Sequence, residues 1–134
     1  MSVRRFRIAM SERCYRFKAD ALSSHAPREP GVYEFVAFDA RMNPRVLFVG
    51  VASDRGVRRT LDDHWNDRAA PGRTALFRAA SDVYFDYVAV TDAADADELK
   101  DIAGALIAKH KPEFNSGPLP SSGRHAAVEV EEAD

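Results

Sequence analysis

The chain has 134 residues, with 19 basic and 21 acidic side chains and a formal net charge of −2. That length suits a single domain with its own core. No apolar run approaches the roughly 18 residues of a membrane-spanning helix, and residues 1–10 lack the apolar core of a signal peptide. The single cysteine, Cys14, excludes an internal disulfide. We therefore expect a cytoplasmic chain with no membrane partner.

Charge is unevenly distributed along the sequence. Residues 1–80 carry 15 basic and 9 acidic side chains, whereas residues 81–134 carry 4 and 12. A basic cluster of this kind can contact phosphate, which favours nucleic acid as a partner. A solvated arginine-rich surface is the alternative interpretation. Residues 116–134 end in a run of acids and are expected to form a flexible acidic tail.

The first part of the chain predicts two strands after an irregular start. Residues 1–29 are expected to be a basic lead-in segment with one or two helical turns over 19–24. Pro30 marks a boundary, because the residue before a proline avoids the helical region. Residues 32–38 are β-branched and aromatic, and 46–51 form a continuous apolar run, so both are predicted strands. Turn residues at 39–44 join them.

The second part predicts two helices and a further strand. A helix is expected over 57–65, a loop over 66–73 and a third strand over 83–90. The clearest helix spans 95–109, where Asp95 can cap the helix and Glu98 can complete a capping box. The resulting ββαβα order predicts an α+β fold: a domain over 30–115 with a small three-stranded mixed sheet flanked by helices.

Four short motifs occur in order within that domain: Gly31-Val32-Tyr33, Phe48-Val49-Gly50, Leu61-Asp62-Asp63-His64 and Lys111-Pro112-Glu113-Phe114-Asn115. Together they resemble the signature of the GIY-YIG nuclease domain, found in homing endonucleases and an excision-repair nuclease. The resemblance implies the same ββαβα architecture. It also implies phosphodiester hydrolysis assisted by a divalent metal ion.

Several site residues of that family have counterparts here. Tyr33 matches the first tyrosine, which helps to activate water, and His64 matches a histidine of many members. Asn115 matches the terminal asparagine that orients the site. The phosphate-binding arginine falls on Arg58 when counted forward from the second motif and on Thr60 when counted back from the third. Arg58 and its neighbour Arg59 are therefore the candidates for phosphate contact.

Two positions depart from the family pattern. Phe48 stands where the second tyrosine is expected, so its hydroxyl is lost. Ala103 stands where the metal-binding glutamate is expected, and a methyl group cannot ligate a hard cation. The nearby acids Asp97, Glu98 and Asp101 are expected on the opposite, solvated face of the helix. We therefore expect no metal and no other cofactor.

The sequence thus predicts a degenerate, catalytically inactive GIY-YIG-like domain. Its expected function is to bind nucleic acid through a basic groove near Tyr33, Arg58, Arg59, His64 and Asn115. Two alternatives stay open. One is an active endonuclease that uses Mg²⁺ or Mn²⁺ through a relocated acid, and the other is a protein-interaction module on the same scaffold.

Overall fold

The computed structural model of the chain describes residues 3–115, 122–123, 125 and 127–132. The strands are β1 (Val3–Met10), β2 (Tyr15–Arg16), β3 (Gly31–Phe38), β4 (Pro44–Ala52), β5 (Tyr84–Thr91) and β6 (Ala127–Glu132). The helices are α1 (Ala19–His25), α2 (Gly56–Trp65), α3 (Arg73–Ala79) and α4 (Ala96–His110). None of these helices combines the length and apolar character needed to cross a bilayer.

The strands form a mixed sheet in the order β4-β3-β5-β1-β6, and β2 pairs with β5. The pairs β3–β4, β3–β5 and β1–β5 are antiparallel, whereas β1 and β6 are parallel. The α+β class is therefore confirmed. The expected three-stranded sheet is wrong, because six strands take part.

The additional strands come mainly from the two segments expected to lie outside the domain. Within β1, Phe6 and Ile8 are buried while the arginines between and beside them face outward. The adjoining strand β6 pairs with β1 residue by residue, from Val3 with Ala127 to Ile8 with Glu132. The expectations of an irregular lead-in at 3–10 and a flexible tail at 127–132 are thus wrong, since alternating apolar residues complete the sheet. Most of the other residues of the expected flexible tail, 116–126 and 133–134, lie outside the described residues.

Side chains of opposite charge face each other along the β1–β6 pairing. Arg5 lies 2.9 Å from Glu129 and Arg7 lies 4.0 Å from Glu131, each measured between a guanidinium nitrogen and a carboxylate oxygen. These exposed ion pairs each contribute little to stability. They show, however, that much of the basic excess of β1 faces acids of the same chain.

The sheet separates two cores. We call the side covered by α1, α2 and α3 the aromatic face, where Tyr33, Phe35 and Phe85 pack. The other side, covered by α4, is the α4 face, and its core includes Val32 and Ala103. Successive residues of a strand point to opposite sides, so Val32 and Tyr33 belong to different faces.

Most predicted elements within 30–115 are present with shifts of one or two residues. The cap at Asp95 is confirmed: its carboxylate accepts from the backbone N–H of Glu98 at 3.1 Å. The Glu98 carboxylate accepts in turn from the Ala94 N–H at 2.9 Å. At the other end of α4, Lys111 adopts a left-handed conformation just before Pro112. Helix α3 begins where the predicted loop over 66–73 ends, and no helix was predicted there.

Candidate functional site

Tyr33 and His64 form a hydrogen-bonded pair inside the aromatic face. The Tyr33 hydroxyl lies 2.7 Å from His64 Nε2, and His64 Nδ1 lies 2.8 Å from the Pro71 carbonyl oxygen. A carbonyl oxygen can only accept, so the histidine proton is assigned to Nδ1 and Nε2 accepts from the tyrosine. Burial raises the pKa of Tyr33 and lowers that of His64. Both groups are therefore held in their neutral forms.

This pair is closed to solvent. Tyr33 and His64 are each only 2% exposed. A phosphodiester could not approach the tyrosine oxygen without displacing the surrounding side chains. In this structure the pair therefore acts as a satisfied polar contact within the core.

Phe48 and Gly50 complete the packing around the tyrosine. The Phe48 ring centroid lies 6.2 Å from that of Tyr33 and 5.6 Å from that of His64. A Cβ atom at Gly50 would lie 2.4 Å from the Tyr33 hydroxyl and 2.8 Å from the Phe48 ring. Glycine is required at position 50 because the tyrosine crosses its backbone. Phe48 supplies packing but no second hydroxyl.

Asn115 is engaged with the outer edge of β4. Its side-chain oxygen accepts from the Val49 N–H at 2.9 Å, and its side-chain nitrogen donates to the Val49 carbonyl at 3.0 Å. The preceding residue, Phe114, donates its backbone N–H to the Leu47 carbonyl at 3.0 Å. The asparagine thus pairs with the strand as another strand would. Its amide has this structural role instead of facing Tyr33.

Ala103 lies on the opposite side of the sheet from Tyr33. It is fully buried in the core of the α4 face, together with Val32 and Ile102. A longer acidic side chain at position 103 would enter that apolar core. The position therefore does not share a site with the tyrosine.

The acids of α4 are less exposed than the sequence predicted. Glu98 and Asp101 are buried, at 6% and 4% exposure. Asp101 accepts from the N–H and the hydroxyl of Ser122, and Glu98 lies 3.1 Å from His125. The expectation of a solvated acidic face is wrong for Glu98 and Asp101, because residues distant in sequence cover them, whereas Asp97 is exposed as expected. Within the described part of the chain, no group of three or more histidine, cysteine or acidic side chains is placed to hold a metal ion.

Arg58 and Arg59 lie at the start of α2, in an open cleft. The cleft has a volume of about 650 Å³ and is lined by four arginines and one acid: Arg28, Asp54, Arg55, Arg58 and Arg59. Arg58 also donates its Nε–H to the Ala26 carbonyl at 2.9 Å, which fixes its guanidinium. Arg55 forms an ion pair with Asp63. Among the described residues, Arg28 and Arg59 form no ion pair.

The first turn of α2 is already satisfied by the chain before β3. The backbone N–H groups of Val57 and Arg58 donate to the carbonyls of Glu29 and Pro27, at 3.0 and 2.8 Å. The arginine side chains, rather than the free N–H groups of a helix end, thus provide the positive character of the cleft. Arg28 joins them because residues 26–29 run along this helix turn.

The α4 face contains a pair of buried acids, neither of which was predicted as a site residue. Glu34 and Asp86 are register partners on β3 and β5, so their side chains lie side by side on the same face of the sheet. Glu34 Oε2 and Asp86 Oδ1 have no hydrogen-bond partner among the described residues. His110 Nε2 is a nearby basic group, 3.9 Å from Glu34 Oε2. Carboxylates only accept, so a hydrogen bond between the two acids requires a proton on one of them.

The surroundings of Glu34 and Asp86 favour the protonated form of a carboxyl group. Burial, and next the charge of Asp86, raise the pKa of Glu34 to about 9. Burial raises the pKa of Asp86 as well. Cys14 lies beside the pair, with its sulfur 3.7 Å from Asp86 Oδ2. Glu34 is a charged residue within the otherwise apolar run 32–38, and this departure from the pattern was the only sign of the contact in the sequence.

Comparisons of the chain with protein-family models, with curated proteins and with solved structures found no match. The GIY-YIG interpretation therefore depends on the four motifs alone. The geometry brings Tyr33, Phe48 and His64 together. It places Arg58 and Arg59 in a separate cleft and Asn115 at the sheet edge.

Proposed function

We propose that this chain is a degenerate GIY-YIG-like domain that binds nucleic acid through phosphate contacts at its arginine cleft. The observation that carries the proposal is the convergence of Arg28, Arg55, Arg58 and Arg59 around one open cleft with a single acid in its lining. Arginine offers several N–H donors in a fixed fork that matches phosphate oxygens. Phosphate contacts supply most sequence-independent affinity for nucleic acid.

The arginines of β1 are not expected to bind phosphate, because acids of the same chain lie beside them. Arg4, Arg5 and Arg7 lie near Asp92, Glu129 and Glu131. Arg55 also has an acidic partner, Asp63. The contacts available to phosphate are therefore those of Arg28, Arg58 and Arg59. If three phosphates are neutralised, the logarithm of the affinity should fall with the logarithm of the salt concentration at a slope of about −2 to −3.

Fluorescence anisotropy with a labelled oligonucleotide, over about 50–200 mM salt, tests the proposal. The double variant Arg28→Ala/Arg59→Ala should weaken binding and reduce the slope by about 2. Arg41→Ala is the matched control, because this exposed arginine lies in the β3–β4 turn, at the other end of β3. Absence of binding at low salt, or equal affinity of the wild type and the double variant, would contradict the proposal. Salt-insensitive binding to a protein would favour the interaction-module alternative.

We also propose that the chain does not hydrolyse phosphodiesters by the family mechanism. The support is chemical: Tyr33 is buried against His64, and Phe48 has no hydroxyl. Removal of a proton-transfer group typically costs about 10²–10⁴-fold in rate. The test is cleavage of plasmid DNA, branched DNA and RNA with Mg²⁺ or Mn²⁺. Efficient cleavage by the wild type that is lost in Tyr33→Phe would establish the active-endonuclease alternative.

A further inference from the structure

A row of aromatic rings ends at His25, three residues before the cleft residue Arg28. The His25 and Tyr15 rings are nearly parallel, with centroids 4.2 Å apart and an interplanar angle of 10°. On its other side Tyr15 packs against the buried ring of Phe85, at 5.6 Å. His25 is exposed at the last residue of α1. The row therefore extends from the core and ends in an imidazole ring at the surface.

The chain that follows His25 connects this ring directly to the cleft. The carbonyl of Ala26, the next residue, accepts the hydrogen bond from Arg58. Arg28, three residues after His25, lines the cleft. Three residues span at most about 10 Å, so the ring and the arginines lie within reach of neighbouring nucleotides of one strand.

We infer that the ligand of this surface is single-stranded nucleic acid, with one base stacked on His25 and the adjoining phosphates held by Arg28, Arg58 and Arg59. The inference rests on the proposed function and adds the class of nucleic acid. An aromatic ring beside a basic groove is the arrangement with which proteins bind unpaired strands, because any base can stack on the ring. In a duplex the base faces are covered by their neighbours, so only a single strand can use His25.

Tyr15 is a positioning residue in this arrangement. It contacts His25 and Phe85 but not the ligand, and it holds the imidazole at a fixed orientation. The hydrogen bond from Arg58 to Ala26 fixes the end of α1 relative to the cleft. A ring that is already ordered loses little side-chain entropy when a base stacks on it.

The test measures anisotropy with a labelled oligothymidylate and with a duplex of the same length at one salt concentration. His25→Ala should weaken binding of the oligothymidylate about 5- to 150-fold, the range expected for one stacked base, and leave the duplex affinity unchanged. His25→Phe should keep the wild-type affinity, because it keeps the ring. Ser24→Ala is the control, since Ser24 is an exposed neighbour on the same helix.

The outcomes separate this inference from the proposed function. If His25→Ala binds the oligothymidylate as tightly as the wild type, or if His25→Phe is as weak as His25→Ala, the stacked base is disproved. The double variant Arg28→Ala/Arg59→Ala would still show whether the cleft binds nucleic acid. An equal loss for the oligothymidylate and the duplex would also overturn the inference. If the wild type binds neither probe, both the inference and the proposed function fail.

Discussion

The two faces of the sheet bury polar groups in different ways. On the aromatic face, Tyr33 donates to His64, and the histidine donates to the Pro71 carbonyl, so each group has a complementary partner. On the α4 face, Glu34 and Asp86 are both acceptors until one of them takes up a proton. A neutral donor–acceptor pair stays hydrogen-bonded without gaining or losing a proton. The comparison teaches that the stability of one face depends on geometry and that of the other on pH.

The largest effect is expected from Gly50→Ala, which alters the geometry of the aromatic face. The new methyl would lie 2.4 Å from the Tyr33 ring and hydroxyl. Overpacking typically costs about 1–3 kcal/mol, and the displaced Tyr33–His64 hydrogen bond adds about 1 kcal/mol. We expect the free energy of unfolding, measured by urea denaturation, to fall by about 2–4 kcal/mol.

Gly31→Ala provides the control for that variant. Gly31 lies on the strand next to Gly50, but a Cβ there would meet only a Val57 methyl, at 3.3 Å. Its loss of stability should be clearly smaller. Equal losses for Gly31→Ala and Gly50→Ala would show that the tyrosine packing is not the cause.

The next largest effect concerns Cys14 on the α4 face. Burial, and next the charge of Asp86, raise the pKa of the thiol to about 12. Because the thiolate is the reactive form, alkylation by iodoacetamide at mildly alkaline pH should be at least about 100-fold slower in the folded chain than in urea. Mass spectrometry over time measures both rates, and Asp86→Asn should speed the folded reaction. Equal rates in the folded and unfolded chain would contradict the assigned surroundings of the cysteine.

A pH dependence of stability is expected from Glu34. Its pKa is about 9 in the folded chain, against an ordinary value of 4.5 for the free side chain. Between these values the folded chain retains a proton that the unfolded chain releases, so the free energy of unfolding falls as pH rises. One proton corresponds to about 1.4 kcal/mol per pH unit. Denaturation at several pH values between about 5 and 9 measures this slope.

Glu34→Gln should flatten that slope. The glutamine amide can donate to Asp86 at every pH, so a hydrogen bond between them no longer requires a proton from solvent. Glu12→Gln, at an exposed position, should keep the wild-type slope. A wild type whose stability is constant over this range would show that the acid pair does not share a proton.

The smallest effect is expected from Tyr33→Phe. It removes the hydroxyl and leaves His64 Nε2 buried without its donor. The loss should be about 1–2 kcal/mol, the cost of one unsatisfied buried group. It should also vary little between about pH 7 and 9, in contrast to the effect of Glu34→Gln. A strongly pH-dependent loss would mean that the Tyr33–His64 pair carries a charge.

The elements predicted correctly were those with local signals. The apolar run before Gly50 predicted β4, and the cap at Asp95 with the apolar spacing after it predicted α4. The motif residues Tyr33 and His64 were correctly singled out, but nothing local indicated that they would be buried against each other. Their contact depends on α2 packing on β3, which is a property of the whole fold.

The features that the sequence did not predict depend on distant partners. Strand β1 has only two buried apolar residues, Phe6 and Ile8, and its flanking arginines hid the alternation. The burial of Asp101 depends on Ser122, twenty-one residues later in the chain. A helical wheel placed Asp101 facing solvent because it considers one helix by itself.

The position of β1 between β5 and β6 has a consequence for folding during synthesis. The strand Val3–Met10 leaves the ribosome long before its antiparallel partner, Tyr84–Thr91, is completed. Contacts of such high sequence separation form slowly. The parallel partner, Ala127–Glu132, comes later still. Until it docks, one edge of β1 remains open to strands of other chains, so truncation before residue 127 is expected to promote aggregation.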